Sequence, residues 1–226
     1  MIETIAEHGT KTIVKILIVD DHPIVREGLA ARISRQPDLK VCGEAEDVLG
    51  ALELVKTAHP DLVIVDLSLK TGQGLDLIKK IKARHPDTKM LVSSMYDETL
   101  YAERSLRAGA LGYINKQEVS EKIIDAIRQV LGGKIYLSPP MTERLLQRAV
   151  GSPEELPRSA VETLTDRELE VFKMIGKGMT TRHIANDLHL SVKTVETHRE
   201  NIKSKLSLPN SAELSREAVQ WVMENG

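Results

Sequence analysis

Two adjacent aspartates follow an apolar run near the start of the chain. In KILIVDDHPIVREG (15–28), four apolar residues lead directly into Asp20 and Asp21. A buried strand accounts for the apolar run, but two like charges at its end repel each other unless a cation lies nearby. A third carboxylate, Asp66, follows another apolar run. An all-oxygen cluster of this kind suits Mg²⁺.

Hydroxyl and lysine side chains follow two further apolar runs. Ser93 and Ser94 close the run KMLVSS (89–94), and Lys116 follows LGYIN (111–115). A lysine and a hydroxyl beside a metal-bound carboxylate can hold and neutralise a phosphoryl group. An aspartate there can itself be the nucleophile and form an acyl phosphate. These residue types therefore predict phosphoryl chemistry, if the fold brings them together.

The first part of the chain alternates between two patterns. Short runs that are apolar on nearly every residue predict strands over 15–20, 40–45, 61–66, 89–94 and 111–115. Amphipathic stretches predict helices over 23–35, 47–58, 74–84, 98–108 and 118–131. Apolar strands between helices indicate a parallel sheet covered on both faces. We predict an α/β domain with a doubly wound five-stranded parallel sheet of flavodoxin-like type, whose functional groups gather beyond the carboxyl ends of the strands.

The later part of the chain is helical. Segment 132–140 predicts a break, 141–150 a short helix and 151–159 a linker. Thr165 and Glu168 fit a capping box. Further helices are predicted from that box to about Lys177, over 181–188, from a cap at Ser191 to Leu206, and over 211–223. The predicted organisation is an α/β domain over 13–133, a linker with a short helix over 134–160, and an all-α domain over 161–226.

The stretch LSVKTVETHRENIKSKL (190–206) predicts a helix with one apolar and one polar face. Its apolar stripe consists of Val195, His198, Ile202 and Leu206. Its candidate DNA-contacting residues are Lys193, Thr194, Glu196, Thr197, Arg199, Glu200 and Lys203. Region 158–226 holds ten basic and ten acidic residues, so the case for nucleic acid rests on this helix alone.

A cationic, hydroxyl-bearing helix after a short helix and a turn is suited to the major groove of double-stranded DNA. We expect Lys193 and Lys203 to contact phosphates mainly. Thr197 is predicted to touch a thymine methyl group, and Glu196 to accept from a cytosine amino group.

Five segments resemble the signature motifs of a known family. VDDHP (19–23), VDLSL (65–69), LVSSM (91–95) and GYINK (112–116) are similar, in order and spacing, to segments of response-regulator receiver domains. LTDRELEVFKMIGKG (164–178) and IANDLHLSVKTVETHRENIKSKL (184–206) together resemble a LuxR-type helix-turn-helix. Together they resemble NarL/FixJ-type two-component response regulators over nearly the whole chain.

This resemblance implies a role for the acidic residues. Asp66 would be phosphorylated by a partner sensor histidine kinase, or by a small acyl-phosphate donor. Asp20, Asp21 and Asp66 would hold Mg²⁺, with the backbone carbonyl of Ser68 as a further ligand. The protein would catalyse only its own phosphoryl transfer and dephosphorylation.

The resemblance also implies a switch. Ser94, rather than Ser93, would bind the phosphoryl group, Lys116 would pair with it, and Tyr113 would turn inward when Ser94 moves. Gln117 stands where the family often has proline. Phosphorylation would then activate a sequence-specific transcription factor that acts as a homodimer, paired through its last helix.

Two other functions stay open. A metal-dependent aspartyl-phosphate phosphatase also uses an aspartate nucleophile on a parallel sheet, although no second aspartate stands two residues after Asp66. The second alternative is an interaction protein of the receiver type that does not bind DNA. Neither a GxGxxG turn nor a GxxxxGK[ST] loop occurs in the sequence.

Bulk composition adds few constraints. With 226 residues, 41% of them hydrophobic, and a net charge of −2, the chain is typical of a soluble protein of two small domains. Its single cysteine, Cys42, cannot form an internal disulfide. No run is long enough for a membrane span, and the start MIETIAEHGT lacks a signal-peptide pattern. We therefore expect a cytoplasmic protein without a membrane partner.

Overall fold

The computed structural model describes residues 13–150 and 159–225. The chain divides into two compact units, Met1–Met141 and Thr142–Gly226. This division falls inside the segment predicted as a linker (134–160). Residues 151–158 of that segment, and the first twelve residues of the chain, lie outside the described part. The predicted domain bounds therefore stay predictions.

The first unit has the predicted α/β class. Its strands are β1 (Val14–Val19), β2 (Leu39–Ala45), β3 (Leu62–Val65), β4 (Lys89–Ser94) and β5 (Gly112–Asn115). Its helices are α1 (Pro23–Ile33), α2 (Val48–Ala58), α3 (Gly74–Arg84), α4 (Glu98–Ala108) and α5 (Val119–Leu131). The parallel strands are ordered β2-β1-β3-β4-β5, which confirms the flavodoxin-like prediction.

The register of the sheet sets the position of the acidic residues. β1 lies between β2 and β3, and Val19 is opposite Val65. Asp20 and Asp66 therefore leave neighbouring strands side by side, and the backbone N–H of Asp66 donates to the carbonyl of Val19 at 2.8 Å. Chain order reverses at this pair of strands, which is where open α/β sheets place functional groups.

The two faces of the sheet pack against different helices. Alternate strand residues such as Ile18, Ile64 and Leu91 join α1 and α5 in one buried cluster. Because neighbouring strand residues point to opposite faces, Ser93 shares the face of Leu91. Ser94 shares the opposite face with Tyr113.

The second unit is all helical, again as predicted. Helix α6 (Pro139–Val150) crosses the division between the units, and a 3-10 turn (Ala160–Thr163) follows the undescribed segment. The remaining helices are α7 (Asp166–Gly176), α8 (Thr181–Asp187), α9 (Val192–Lys205) and α10 (Ser211–Asn225). No helix in the described parts of the chain is long and apolar enough to span a membrane.

Local signals explain most of these helix bounds. Thr165 and Glu168 form the predicted capping box, and the Ser191 hydroxyl accepts from the N–H of Thr194 at 3.0 Å. Helix α6 begins at Pro139, inside the segment predicted as a break, because proline is well tolerated in the first turn of a helix. The prolines there start a helix instead of interrupting the chain.

Candidate phosphoacceptor site and nucleic-acid interface

Three carboxylates meet at the carboxyl ends of β1 and β3. Asp20 and Asp66 are buried, with 1% and 2% of their surfaces exposed. The side chain of Asp21 is more open. The fold thus brings together the aspartates that the sequence singles out, at the edge of the sheet where they were expected.

Lys116 joins the two buried aspartates. Its Nζ lies 2.7 Å from Oδ2 of Asp20 and 2.7 Å from Oδ2 of Asp66. Burial by itself lowers the pKa of Lys116, but its bonds to both carboxylates outweigh this effect and the net pKa is raised. Burial raises the pKa of Asp66, although Lys116 opposes the shift. The lysine is therefore held charged against two carboxylates.

The aspartates fit a divalent cation. One donor atom from each of Asp20, Asp21, His22 and Asp66 lies within 4.8 Å of the other three. Within the described residues, no hydrogen bond of normal geometry reaches the buried Oδ1 of Asp66, although the backbone N–H of Ser68 approaches the carboxylate. An oxygen-rich cluster with an unsatisfied carboxylate oxygen suits Mg²⁺.

Ser68 lies in the loop after Asp66. Ser68 and Gln73 form an isolated antiparallel bridge, and the N–H of Gly74 donates to the carbonyl of Leu67 at 3.0 Å. A Cβ atom at Gly74 would stand 2.1 Å from the carbonyl oxygen of Asp66. Glycine is therefore required for α3 to start this close to the backbone of Asp66.

His22 and Arg26 also reach the cluster, although neither was predicted from the sequence as a site residue. The ring Nδ1 of His22 lies 2.7 Å from Oδ1 of Asp21 and 3.3 Å from Oδ1 of Asp20. Arg26 donates to the backbone carbonyl of Asp20 at 2.7 Å. The position of His22 directly after the aspartate pair was a usable signal. The contact of Arg26 depends on how α1 is oriented, which the sequence pattern does not show.

The structure separates the two candidate serines. Ser94 is buried on the face of Tyr113, whereas Ser93 lies on the opposite face. The ring of Tyr113 was expected to turn inward on phosphorylation, but it is already fully buried here. Its hydroxyl donates to the carbonyl of Tyr96 at 2.6 Å, and burial raises its pKa.

Helix α9 presents part of its predicted polar face. Four of the candidate residues are exposed, namely Lys193, Glu196, Thr197 and Glu200. Thr194, Arg199 and Lys203 are half-buried. The Nζ of Lys203 lies 2.9 Å from Oε1 of Glu200, and its side chain is only 16% exposed. Lys203 was expected to point outward, but its aliphatic part is covered and its charge is paired with a neighbour on the helix.

Two contacts with α7 fix the position of α9. Lys205 donates to Oε2 of Glu168 at 2.6 Å, and that oxygen also accepts from the N–H of Thr165. Arg167 donates to the carbonyl of Leu188, at the end of α8, at 2.9 Å. These contacts hold the end of α9 and the turn before it against α7.

Two family descriptions match the chain, one for each type of domain. Residues 16–128 match the response regulator receiver domain, and residues 162–218 match the bacterial regulatory proteins of the luxR family. The curated oxygen regulatory protein NreC of Staphylococcus carnosus is 39% identical over 210 residues, which cover 91% of this chain and 97% of NreC.

Solved structures of response regulators are also similar. RcsB of Salmonella typhimurium, in a study of its conformational dynamism for DNA interaction, is 26% identical with a TM-score of 0.55. That match covers 92% of this chain and 99% of RcsB. A second RcsB structure, of two dimers bound to two parallel DNAs, is 25% identical with a TM-score of 0.56 and covers 91% and 97% of the two chains. The protein therefore belongs to the response regulators that join a receiver domain to a LuxR-type DNA-binding domain.

Proposed function

We propose that Asp66 is the phosphoacceptor through which this response regulator is switched. The observation that carries the proposal is the state of its carboxylate: Oδ2 is held by Lys116 at 2.7 Å. Oδ1 is buried and has no hydrogen-bond partner of normal geometry among the described residues, although the backbone N–H of Ser68 approaches the carboxylate. The carboxylate is thus fixed in place by one oxygen and keeps the other for a new bond.

The reaction is a phosphoryl transfer to Asp66. Its Oδ1 attacks phosphorus, and the bond between phosphorus and the donor breaks; the donor is the phosphohistidine of a sensor kinase or a small acyl phosphate. Lys116 stays beside the new phosphoryl group and Ser94 donates its hydroxyl to it. Beyond this transfer and the later hydrolysis of the acyl phosphate, we assign the protein no enzymatic activity.

A magnesium ion fits the same cluster. Asp20, Asp21, Asp66 and the backbone carbonyl of Ser68 are the residues that would hold it. When bound, Mg²⁺ neutralises the charge on the phosphoryl oxygens. Lys116, which also pairs with Asp20, fixes the orientation of the Asp66 carboxylate.

The output of the switch is DNA binding through α9. Lys193, Glu196 and Thr197 are exposed on this helix, and its position is fixed by α7. The RcsB dimers bound to DNA support a homodimer as the active form. A regulator that binds DNA in response to a kinase would act in the cytoplasm, and cell fractionation would test that location.

Mass spectrometry and DNA titration together test the function. Treatment with acetyl phosphate and Mg²⁺ should add one phosphoryl group to the wild-type protein and to Asp87→Asn, an exposed control at the opposite end of the sheet. Asp66→Asn and chelation of the metal should both prevent it. Phosphorylated protein should bind promoter fragments more tightly than unphosphorylated protein. Label on a serine or histidine would refute the assignment of Asp66, and equal DNA affinity would refute the switch.

A further inference from the structure

We propose that Arg26 is a positioning residue of the phosphoacceptor site. It holds the peptide plane between Asp20 and Asp21 and thereby orients both carboxylates for metal binding. The inference rests on the proposed function, which has a divalent cation at this site, and it leaves the ligands named there unchanged. Arg26 adds a residue of α1 that acts on the cation only through the backbone of Asp20.

The backbone carbonyl of Asp20 is held by a side chain instead of a neighbouring strand. β1 ends at Val19, whose carbonyl accepts from the N–H of Asp66. The N–H of Asp20 still donates to the carbonyl of Ala45, the last residue of β2, at 3.0 Å. The carbonyl of Asp20 accepts from Nη1 of Arg26 at 2.7 Å. Arg26 therefore continues the hydrogen bonding of the chain beyond the end of the sheet.

This one bond constrains two side chains. Because a peptide unit is planar, fixing the carbonyl of Asp20 also fixes the N–H of Asp21 and the position of its Cα atom. The carboxylate of Asp20 has further partners, since Oδ2 pairs with Lys116 and Oδ1 accepts from the N–H of His22. The carboxylate of Asp21 pairs with the exposed ring of His22. The direction in which Asp21 leaves the chain thus depends on the bond from Arg26.

Arg26 is itself fixed by two elements. Its backbone N–H donates to the carbonyl of His22 at 3.2 Å, in the first turn of α1. Its Nε donates to Oε2 of Glu44, in β2, at 3.2 Å, and its side chain is only 17% exposed. A planar guanidinium presents its donors in a rigid fork, whereas a lysine ammonium is a point charge on a flexible chain. Arginine can therefore hold β2 and the carbonyl of Asp20 in one geometry.

Position and charge predict opposite effects of substitution. If only charge mattered, Arg26→Gln would remove a repulsion and tighten the binding of a divalent cation, and Glu44→Gln would weaken it. If Arg26 acts by position, Arg26→Gln should weaken binding by about tenfold, which is typical for loss of an outer-shell partner. Glu44→Gln should then change the affinity little, because a glutamine oxygen can still accept from Nε.

Titration with Mn²⁺, followed by electron paramagnetic resonance of the free ion, measures the affinity without a phosphoryl donor. Arg26→Gln should bind about tenfold more weakly than the wild-type protein, and Arg26→Lys, which keeps the charge, should lie between the two. Arg128→Gln is the matched control, because Arg128 pairs with Asp38 at the opposite end of the sheet. It should lose an ion pair of the same kind and bind Mn²⁺ like the wild-type protein.

Labelling with acetyl phosphate separates positioning from a general loss of structure. In Arg26→Gln the Mg²⁺ concentration that gives half the maximal labelling rate should rise by about tenfold. The maximal rate at saturating Mg²⁺ should change little, because Lys116 and the carboxylate of Asp66 are untouched. A loosened fold would lower the maximal rate as well.

Several results would overturn the inference, and they leave different parts of the proposed function standing. Arg26→Gln that binds Mn²⁺ as tightly as the wild-type protein, or more tightly, would refute it, and so would equal weakening in Arg128→Gln. If Arg26→Gln does not fold, Arg26→Lys decides, and wild-type affinity in that variant would refute it. Wild-type protein that is labelled at Asp66 without binding metal would refute the inference and leave the phosphoacceptor. Absence of label at Asp66 would refute the proposed function itself.

Discussion

The hydroxyl of Tyr113 donates a 2.6 Å hydrogen bond to the backbone carbonyl of Tyr96. Tyr113 lies in β5, and Tyr96 lies in the loop between β4 and α4. The ring of Tyr96 also stacks on Tyr101 of α4, with 4.9 Å between the ring centroids. One buried hydroxyl therefore ties β5 to the loop that follows Ser94.

Tyr113→Phe should loosen this loop. The substitution keeps the buried ring but removes the hydrogen bond from the Tyr113 hydroxyl to the carbonyl of Tyr96, which should lower the free energy of unfolding by about 1 kcal/mol. Hydrogen exchange at residues 95–97 should become faster. Tyr136→Phe is the matched control, and equal exchange rates in wild type and Tyr113→Phe would contradict the prediction.

Asp66→Asn should stabilise the protein at neutral pH, by about 1 kcal/mol, as often happens when a strained site is relaxed. The pKa of Asp66 is raised, chiefly by burial, so its ionised form is disfavoured by folding. A group with a raised folded pKa contributes stability below its unfolded pKa and loses it as the pH rises through the folded pKa. The advantage of the variant should therefore shrink in acid. Thermal melts without metal, from pH 7 downward, measure it, and an advantage that grows in acid would refute this account.

Glu168 should stabilise the second unit through its bonds to Lys205 and Thr165. Burial by itself raises the pKa of Glu168, but these two partners outweigh it and the net pKa is lowered. Its stabilisation should thus be present above the ordinary glutamate pKa and be lost as the pH falls through the lowered one. Glu168→Ala should cost about 2 kcal/mol at neutral pH, from the cap and the ion pair together.

The fluorescence of the single tryptophan measures this effect within the full chain. Trp221 lies 5.9 Å from Phe172, between ring centroids, so it reports on the packing of α7 against α10. Glu217→Gln, an exposed substitution on α10, is the control and should unfold like wild type. An unchanged denaturation midpoint in Glu168→Ala would show that the contact contributes nothing.

Glu200→Gln should tighten DNA binding on all sequences. Glu200 is exposed on α9 and pairs with Lys203 at 2.9 Å, so the substitution removes a repulsive charge and frees a lysine. One additional phosphate contact should steepen the slope of log K against log salt by about 0.9. Fluorescence anisotropy at several salt concentrations gives the slope, with Glu224→Gln as control. A tighter complex on one sequence only would point to a base contact instead.

The grouping of these site residues at one edge of the sheet was predictable, because the succession of strands along the chain and the alternation of their side chains can be read from the sequence. Asp20, Asp66 and Lys116 each follow an apolar run, and any parallel sheet gathers such positions at one edge. The inward position of Tyr113 and the pairing of Lys203 were not predictable, because both depend on packing between elements that local patterns do not encode. His22 was overlooked because a single loop histidine carries no periodicity.

Gly74 couples the position of α3 to the position of Asp66. Because Gly74 has no side chain, the start of α3 packs directly against the backbone carbonyl of Asp66, the residue that carries the carboxylate. A small tilt of α3 would be transmitted directly to the reactive oxygen. A synthetic binding protein that binds the exposed side of α3 would therefore be able to misalign the carboxylate from a distance, without covering the site.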